Sequence, residues 1–469
     1  MFVKPMTAPF QSSFCELLAA TSHPAYGERA SVFISHAWKY HFLDVVSALQ
    51  GHFKDEPDIV IWFDMFSNNQ HKAVDYDFSW WSTTFRSAIA EFNRTVMVLS
   101  PWNDPIPLTR AWCLFELWST ADTGAQFEVA MSQEGIESFL SDIVGFLSTS
   151  VATLQTMLTT INVERSEAFN PADKEKIMTA VKNTCGFAKL NKMVFEKMRD
   201  WAIQTLVDAT FERQENGKLK DLVDYNHAQG LLHLGLGDSG SASSILRECY
   251  QQYTDWHGET DIYYTLKAFH SYIEAKLRLQ DYKDGYNVEE DIAEVENMIE
   301  TLLPKEEEDP GYYHPEVLKV KRHLALVYLQ AGRVDDAQRL CSELAEDDMK
   351  DEKDKLLDKA IQGRVYLSSG NFEEAAKYFE DVHQTCLASL DRLHPKTLDA
   401  LFDLSELWEL QGKQEEAEKA FETILEQRRL IYGDNGNETY IVAQKLITLY
   451  EKQGKQEEAQ LIRASIGIN

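Results

Sequence analysis

A chain of 469 residues with 44% hydrophobic and 26% charged side chains has room for two to four domains, each with a sizeable core. Its formal charge is −30 and is spread unevenly, with 16 basic and 24 acidic residues in 1–210 against 30 and 52 in the remainder. That balance argues against sequence-independent nucleic-acid binding and against attachment to an anionic membrane, and no apolar run has the length of a membrane span.

The six cysteines, Cys15, Cys113, Cys185, Cys249, Cys341 and Cys386, are scattered without a CxxC pair or clustered histidines. They read as reduced thiols of a cytoplasmic protein, with no disulfide framework and no metal site. The opening Met1-Phe-Val-Lys-Pro5 lacks a signal-peptide pattern.

In chain order, a leader over 1–27 with a short helix near Phe14–Ala20 precedes an alternation of strands and helices. Ser31-Val-Phe-Ile-Ser35 is an apolar strand, and Phe42, Val45, Val46 and Leu49 make a helical face over His41–Gln50. A second strand is predicted over Asp58–Asp64, then a polar loop and a helix from about Trp80 with Phe85, Ala88, Ile89 and Phe92 on one face. Trp80 and Trp81 are core residues or loop anchors. Thr95–Leu99 is the third strand. After it Pro101, Pro105 and Pro107 forbid regular structure until Thr109 caps a helix, and Phe127–Met131 is the fourth strand.

Strand runs with little alternation, each followed by an amphipathic helix, predict an α/β domain whose parallel sheet is covered on both faces. Ligands of such sheets bind beyond the carboxyl ends of the strands. Those ends carry Ser35-His36-Ala37-Trp38, Asp64-Met65-Phe66 and Ser100-Pro101-Trp102. In the helix after Thr109, Leu114, Leu117, Trp118 and Ala121 form a core-facing stripe, while Trp112 and Glu116, four residues apart, lie together on the other side. The plain alternative is a partly exposed Trp beside a solvated Glu. No GxxxxGK[ST], GxGxxG or GxSxG motif occurs. His36 is either a general base or a hydrogen-bonded structural residue.

Ser31–Ser35 resembles the opening strand of Toll/interleukin-1 receptor (TIR) domains, and Ala111-Trp-Cys-Leu-Phe-Glu-Leu117 resembles their WCLxEL helix start. The resemblance covers 28–135 and implies a flavodoxin-like fold. It implies cleavage of the nicotinamide–ribose bond of NAD+ by an oligomer, giving ADP-ribose or a cyclic product. NAD+ is then the substrate, with no resident cofactor. Glu116 matches the family's catalytic glutamate and Trp112 its aromatic neighbour. Asp64 to about Trp80 takes the place of the mobile loop that contacts substrate and neighbouring subunits. With the strand-end residues Ser35, His36, Trp38, Asp64 and Phe66, Trp112 completes the candidate substrate-binding set. A carboxylate beside the sugar stabilises an oxocarbenium-like ribose, and a flat aromatic wall excludes water. One departure stands out: the family's aromatic and Arg after the first strand are replaced by His36-Ala-Trp-Lys39, leaving Lys39, Arg110 or Lys72 as substitutes.

Residues 136–221 read as a helical bridge, with helices over Glu137–Met157, from Pro171 and over Leu190–Thr205, and a polar boundary over Arg213–Asp221. From 222 to 469 the chain repeats. Gln411-Gly-Lys-Gln-Glu-Glu-Ala417 recurs verbatim at Gln453–Ala459, a period of 42 residues. Related copies lie at Ser369–Ala375, Ala331–Ala337 and Leu236–Ala242, and at Leu279–Tyr282 the Gly is lost. Helix, Gly turn and [DE]-[DE]-Ala helix at this period resemble tetratricopeptide repeats, with the His314-Pro315 and His394-Pro395 entries similar to those of kinesin light chains. About six helix pairs stack into a superhelix whose groove takes a protein or peptide. The acidic runs Lys305–Asp309 and Glu346–Asp354 read as solvated connections, with binding of basic peptides as the alternative.

The resulting expectation is a cytoplasmic NAD+-cleaving enzyme of immune or cell-death-like signalling, switched on by oligomerisation or by a partner sensed through the repeats. The alternative is a non-enzymatic adaptor that pairs through its N-terminal domain and holds a partner in the repeats. A kinesin light chain proper requires a long heptad coiled coil, and none is present.

Overall fold

The computed structural model describes residues 3–21, 29–72, 78–145, 166–168, 171–184, 186–215, 219–257, 262–280, 288–345, 352–390, 392, 394–434 and 436–466. It forms two compact units, Met1–Thr205 and Leu206–Asn469. Outside the described residues lie Cys185, the Asp281–Tyr282 end of the weak repeat turn, residues 146–157 of the expected bridge helix and most of the Glu346–Asp354 acidic run. Residues 73–77 of the expected mobile loop lie outside them as well.

The first unit opens with helices α1 (Val3–Thr7) and α2 (Phe14–Ala20). In α2 the Ser13 side chain accepts from the Glu16 amide at 3.0 Å and the Glu16 carboxylate accepts from the Ser13 amide at 2.6 Å, a reciprocal cap. Four parallel strands follow, β1 (Val32–Ser35), β2 (Ile61–Trp62), β3 (Arg94–Val98) and β4 (Gln126–Ala130), side by side in the order β2-β1-β3-β4. Helices α3 (Phe42–His52), α4 (Asp64–Ser67), α5 (Phe78–Phe92) and α6 (Ala111–Thr123) alternate with them, and α7 (Gln133–Gly145), α8 (Pro171–Thr184) and α9 (Phe187–Glu215) follow.

Strand alternation assigns the side chains to faces. Val32 and Ile34 of β1 and Val96 and Val98 of β3 pack with Val45, Ala48 and Leu49 of α3 on one face. Phe33 packs on the other with Phe85 and Ile89 of α5 and with Trp62, Trp81 and Trp112. All four residues of β1 are buried, as a strand covered on both faces requires.

Several predicted elements differ: the helix read over Leu190–Thr205 spans Phe187–Glu215 and enters the expected polar boundary, and Lys305–Glu308 of the acidic run closes a helix over Val288–Glu308. The second strand shrinks from Asp58–Asp64 to Ile61–Trp62, because Phe63 leaves the sheet edge to stack on His36, with ring centroids 4.3 Å apart, and Asp64 opens α4. Thr109 is not the helix cap. Its hydroxyl donates to the Ile106 carbonyl at 2.8 Å within a short 3-10 turn over Ile106–Thr109, and α6 begins at Ala111.

The second unit consists of six helix pairs among the described residues. They are α10 (Leu219–Gly235) with α11 (Ser239–His257), α12 (Ile262–Gln280) with α13 (Val288–Glu308), and α14 (Pro310–Gln330) with α15 (Val334–Ala345). The other three are α16 (Glu352–Ser368) with α17 (Phe372–Ser389), α18 (Pro395–Leu410) with α19 (Gln414–Tyr432), and α20 (Asn437–Lys452) with α21 (Gln456–Ser465). Five of the turns share one construction. A left-handed Gly (237, 332, 370, 412 or 454) ends the first helix. The next amide then reaches back to a carbonyl, as Lys413 does to Trp408 and Lys455 to Tyr450, both at 2.9 Å. Five residues after each Gly stands a buried Ala (242, 337, 375, 417 or 459), a small side chain in the packed interior.

At the sheet's far edge, Arg94 donates from its two terminal nitrogens to Glu56 at 2.8 Å each and from Nε to Glu128 at 2.7 Å, while His52 meets Glu128 at 2.7 Å. Despite the opposing effect of partial burial, the bonds to His52 and Arg94 hold the Glu128 carboxyl down at about 2. A carboxylate with a depressed pKa stabilises the fold fully above its unfolded value and loses that contribution as pH falls. Glu128→Gln is therefore expected to lower the apparent Tm of the N-terminal unit by several degrees at pH 7, with the deficit shrinking to a small part of that near pH 2.5 and vanishing only below about pH 2. A deficit that persists unchanged at pH 2.5 contradicts the ionic origin.

Candidate functional site

The carboxyl edge of the sheet between β1 and β3 is where the strand order reverses, the position at which open parallel sheets bind ligands. Ser35 is two residues beyond Phe33 and shares its face, so its hydroxyl points toward α6. There it donates to Glu116 Oε2 at 2.6 Å, inside the protein. Thr120, one turn further along α6, bonds Thr95 of β3 at 2.9 Å on the same face, which fixes the helix against the sheet.

Glu116 is only 8% exposed. Burial pushes its carboxyl up to about 8, the Ser35 hydrogen bond opposes, the charge of Asp64 adds and that of Arg110 opposes again. The group is thus largely protonated at neutral pH. The expectation that Glu116 lies with Trp112 on a side turned away from the core is corrected here. Residues Ala111 and Cys113–Thr120 are all buried, because the sheet covers one side of α6 while α5 and α8 pack against it.

The half-buried Trp112 belongs to an aromatic cluster, 5.5 Å from the Phe85 ring and 5.9 Å from Phe115. Phe66 sits in a second cluster, 5.8 Å from Phe42, 5.6 Å from Phe63 and 5.6 Å from Phe14. These contacts make both rings part of the packing that supports the site.

The other candidates converge. Trp38, exposed over more than half its surface, donates from Nε1 to Asp64 Oδ2 at 2.7 Å. The second oxygen of Asp64 stands 3.8 Å from His36 Nε2. Both of these atoms are buried, and neither has a hydrogen-bond partner among the described residues. Burial holds the His36 imidazole below its ordinary value although Asp64 pulls the other way, and Arg110 lowers it further. The site therefore holds a neutral imidazole and a protonated carboxyl beside Asp64. Unsatisfied buried polar atoms of this kind concentrate at sites of chemistry or binding.

Two contributors were not singled out from sequence. Cys113 donates its thiol to the His36 carbonyl at 3.5 Å and is held protonated chiefly by burial. Phe63 forms the floor beneath His36. Of the three cations considered as substitutes for the missing Arg, Arg110 is the one whose charge reaches Glu116, His36 and Cys113. Its position at the start of α6 was the readable signal. Lys39 and Lys72 are exposed. Among the described residues no group of three or more His, Cys, Asp or Glu side chains is arranged to hold a metal, and no helix is long and apolar enough to cross a membrane.

Comparison with known proteins places a tetratricopeptide repeat family model on residues 360–429, within α16 to α19. No curated protein matches the chain. Among solved structures, the apo form of the quorum sensor NprR from B. thuringiensis is similar at 12% identity, over 71% of this chain and 96% of that one, with a TM-score of 0.39.

The sign of the Glu116 effect makes a prediction. Between about pH 4.5 and 8 the folded chain keeps a proton that the unfolded chain has released, so rising pH drains stability. Glu116→Gln is expected to unfold like the wild type at pH 5 and to gain on it toward pH 8.5 by about 1 kcal/mol or more, each pH unit being worth up to about 1.4 kcal/mol. Calorimetry across that range reads the difference, and a gap that fails to widen contradicts a buried protonated carboxyl.

Proposed function

We propose that this protein works by recognition of a protein or peptide through its tetratricopeptide array, with the N-terminal α/β unit as a second pairing module that associates with copies of itself. The reading rests on one observation above the others: the family match over 360–429 falls within a run of helix pairs that share one turn geometry and one buried Ala position. Repeats of this kind present a continuous inner surface along their first helices, suited to extended partners. The state of the sheet-edge site favours the same reading. Glu116 is enclosed and bonded to Ser35, and Trp112 is packed against Phe85, so neither is presented to a ligand in this conformation.

The test uses the full chain as bait. Phe379→Ala or Phe421→Ala, each opening a cavity worth about 3–5 kcal/mol in the array, is expected to abolish capture of a partner that Glu116→Gln retains. Capture lost with Glu116→Gln and kept by both array variants overturns the reading.

A second reading is favoured by Glu116, Ser35, His36, Asp64 and Trp38 meeting at the β1/β3 edge, together with the resemblance of Ser31–Ser35 and Ala111–Leu117 to TIR domains. In it the unit cleaves NAD+ when clustered. The bond between the nicotinamide nitrogen and ribose C1′ breaks, nicotinamide leaves with the electron pair, and water adds at C1′ to give ADP-ribose and a proton. Glu116 faces the cationic sugar, whose charge draws its proton away. Trp38 and His36 border the substrate, and Arg110 meets the pyrophosphate. NAD+ mixed with artificially clustered protein is expected to release nicotinamide at a rate that climbs with pH toward about 8 and falls at least a hundredfold in Glu116→Ala. Release that survives Glu116→Ala sinks this second reading.

A further inference from the structure

The first helices of successive pairs are joined by polar links that run from each helix to the next. His227 of α10 meets Ser271 of α12 at 3.1 Å, and His270 of α12 meets Glu316 of α14 at 2.9 Å. Arg322 of α14 donates to Asp358 of α16 at 2.7 Å, and Arg364 of α16 donates to Asp403 of α18 at 3.1 Å. Among the described residues one set of contacts breaks this nearest-neighbour rule. Arg278, in the last turn of α12, donates to Glu438 at the start of α20 at 3.0 Å, four pairs away. The Asn437 amide donates to the carbonyl of Gly237, in the first pair's turn, at 2.9 Å.

These contacts form a built joint. Glu438 is buried, and Arg428, also buried, donates to its main-chain carbonyl at 3.1 Å while holding Asp399 at 2.6 Å. Asn437 is the first residue of α20, so its amide has no acceptor within its own helix and is satisfied by Gly237 instead. Gly237 adds an independent observation. At four of the five left-handed turn glycines, 332, 370, 412 and 454, an added Cβ meets nothing within 4 Å. At Gly237 it meets Tyr432 Cβ and Cδ1 and the Glu438 carboxylate, each at 2.9 Å. Four glycines are needed for the turn alone. The fifth is needed as well for the approach of a segment two hundred residues downstream in the chain.

We propose that the array is closed on itself by a latch, Gly237 and Arg278 on one side and Tyr432, Asn437 and Glu438 on the other, and that the latch gives the array closed and open states. Nearest-neighbour stacking by itself leaves a repeat array with free ends; the latch sets its curvature. On the reading that the array binds a partner along its first helices, a partner that fits the open curvature competes with the latch. The latch itself stands without that reading.

Hydrogen–deuterium exchange of the full chain tests it, followed in peptides covering the Asn437 amide. In the wild type that amide is expected to exchange at least tenfold more slowly than an unprotected one. Gly237→Ala and Arg278→Ala are each expected to accelerate it at least tenfold. Gly332→Ala imposes the same left-handed strain at a turn with open space beside it, and is expected to leave the Asn437 amide at the wild-type rate. Arg278 is partly exposed and lies at a helix end, so Arg278→Ala keeps the test open if Gly237→Ala does not fold. Unprotected exchange in the wild type, or equal exchange in Gly237→Ala and Gly332→Ala, overturns the latch. Because no partner enters this measurement, its outcome is separate from that of the capture experiment.

Discussion

A helix pair in this array carries apolar side chains on more faces than its own two helices can cover, and the whole second unit depends on that shortfall. Ala242, Ala337, Ala375, Ala417 and Ala459 let the two helices of a pair close together, yet residues such as Phe269, Phe379 and Phe421 reach full burial only with the neighbouring pair in place. Stacking is then obligatory. Polar links join the first helices of successive pairs, and Gly237 and Arg278 meet Glu438 across the unit.

The N-terminal unit obeys a different constraint. A parallel strand buried on both faces must send alternate side chains into two cores, and in β1 this sends Val32 and Ile34 one way and Phe33 and Ser35 the other. Ser35 is a polar residue at the last position of a buried strand, and it needs a partner. Glu116 of α6 supplies one by accepting from the Ser35 hydroxyl, and burial, which that bond only partly offsets, keeps its proton on. The result is a carboxyl tuned by its surroundings at the edge where the strand order turns, with Asp64 and Arg110 setting the field around it.

Much of this architecture was legible in the residues. The apolar runs of β1 and β3 and the helical faces of α3 and α5 were located within a residue or two, since buried parallel strands and amphipathic helices leave strong periodic signals. The repeat half was clearer still, because Gly at a left-handed turn and Ala five residues later are positions that few other residues can fill. The edge strand β2 was overextended: Val60 and Phe63 have the composition of a strand, but only contact with a neighbouring strand decides how many of its residues pair. Thr109 had the side chain of a cap, and the 3-10 turn before it claimed its hydroxyl first.

Sequence alone determined the order of elements, the repeat register and the segments that hold Ser35, His36, Asp64 and Glu116, because each follows from local stereochemistry and the spacing of apolar residues. Tertiary structure decided what those side chains are. It buried Glu116 and raised its proton affinity, drew Trp112 and Phe66 into ring clusters, chose Arg110 among three cations and brought Gly237 against Tyr432. The physical reason is that burial, electric field and close approach depend on which distant segments come together. A period of 42 residues records how each pair meets the next, but it carries no mark of the contact that joins the second pair to the sixth.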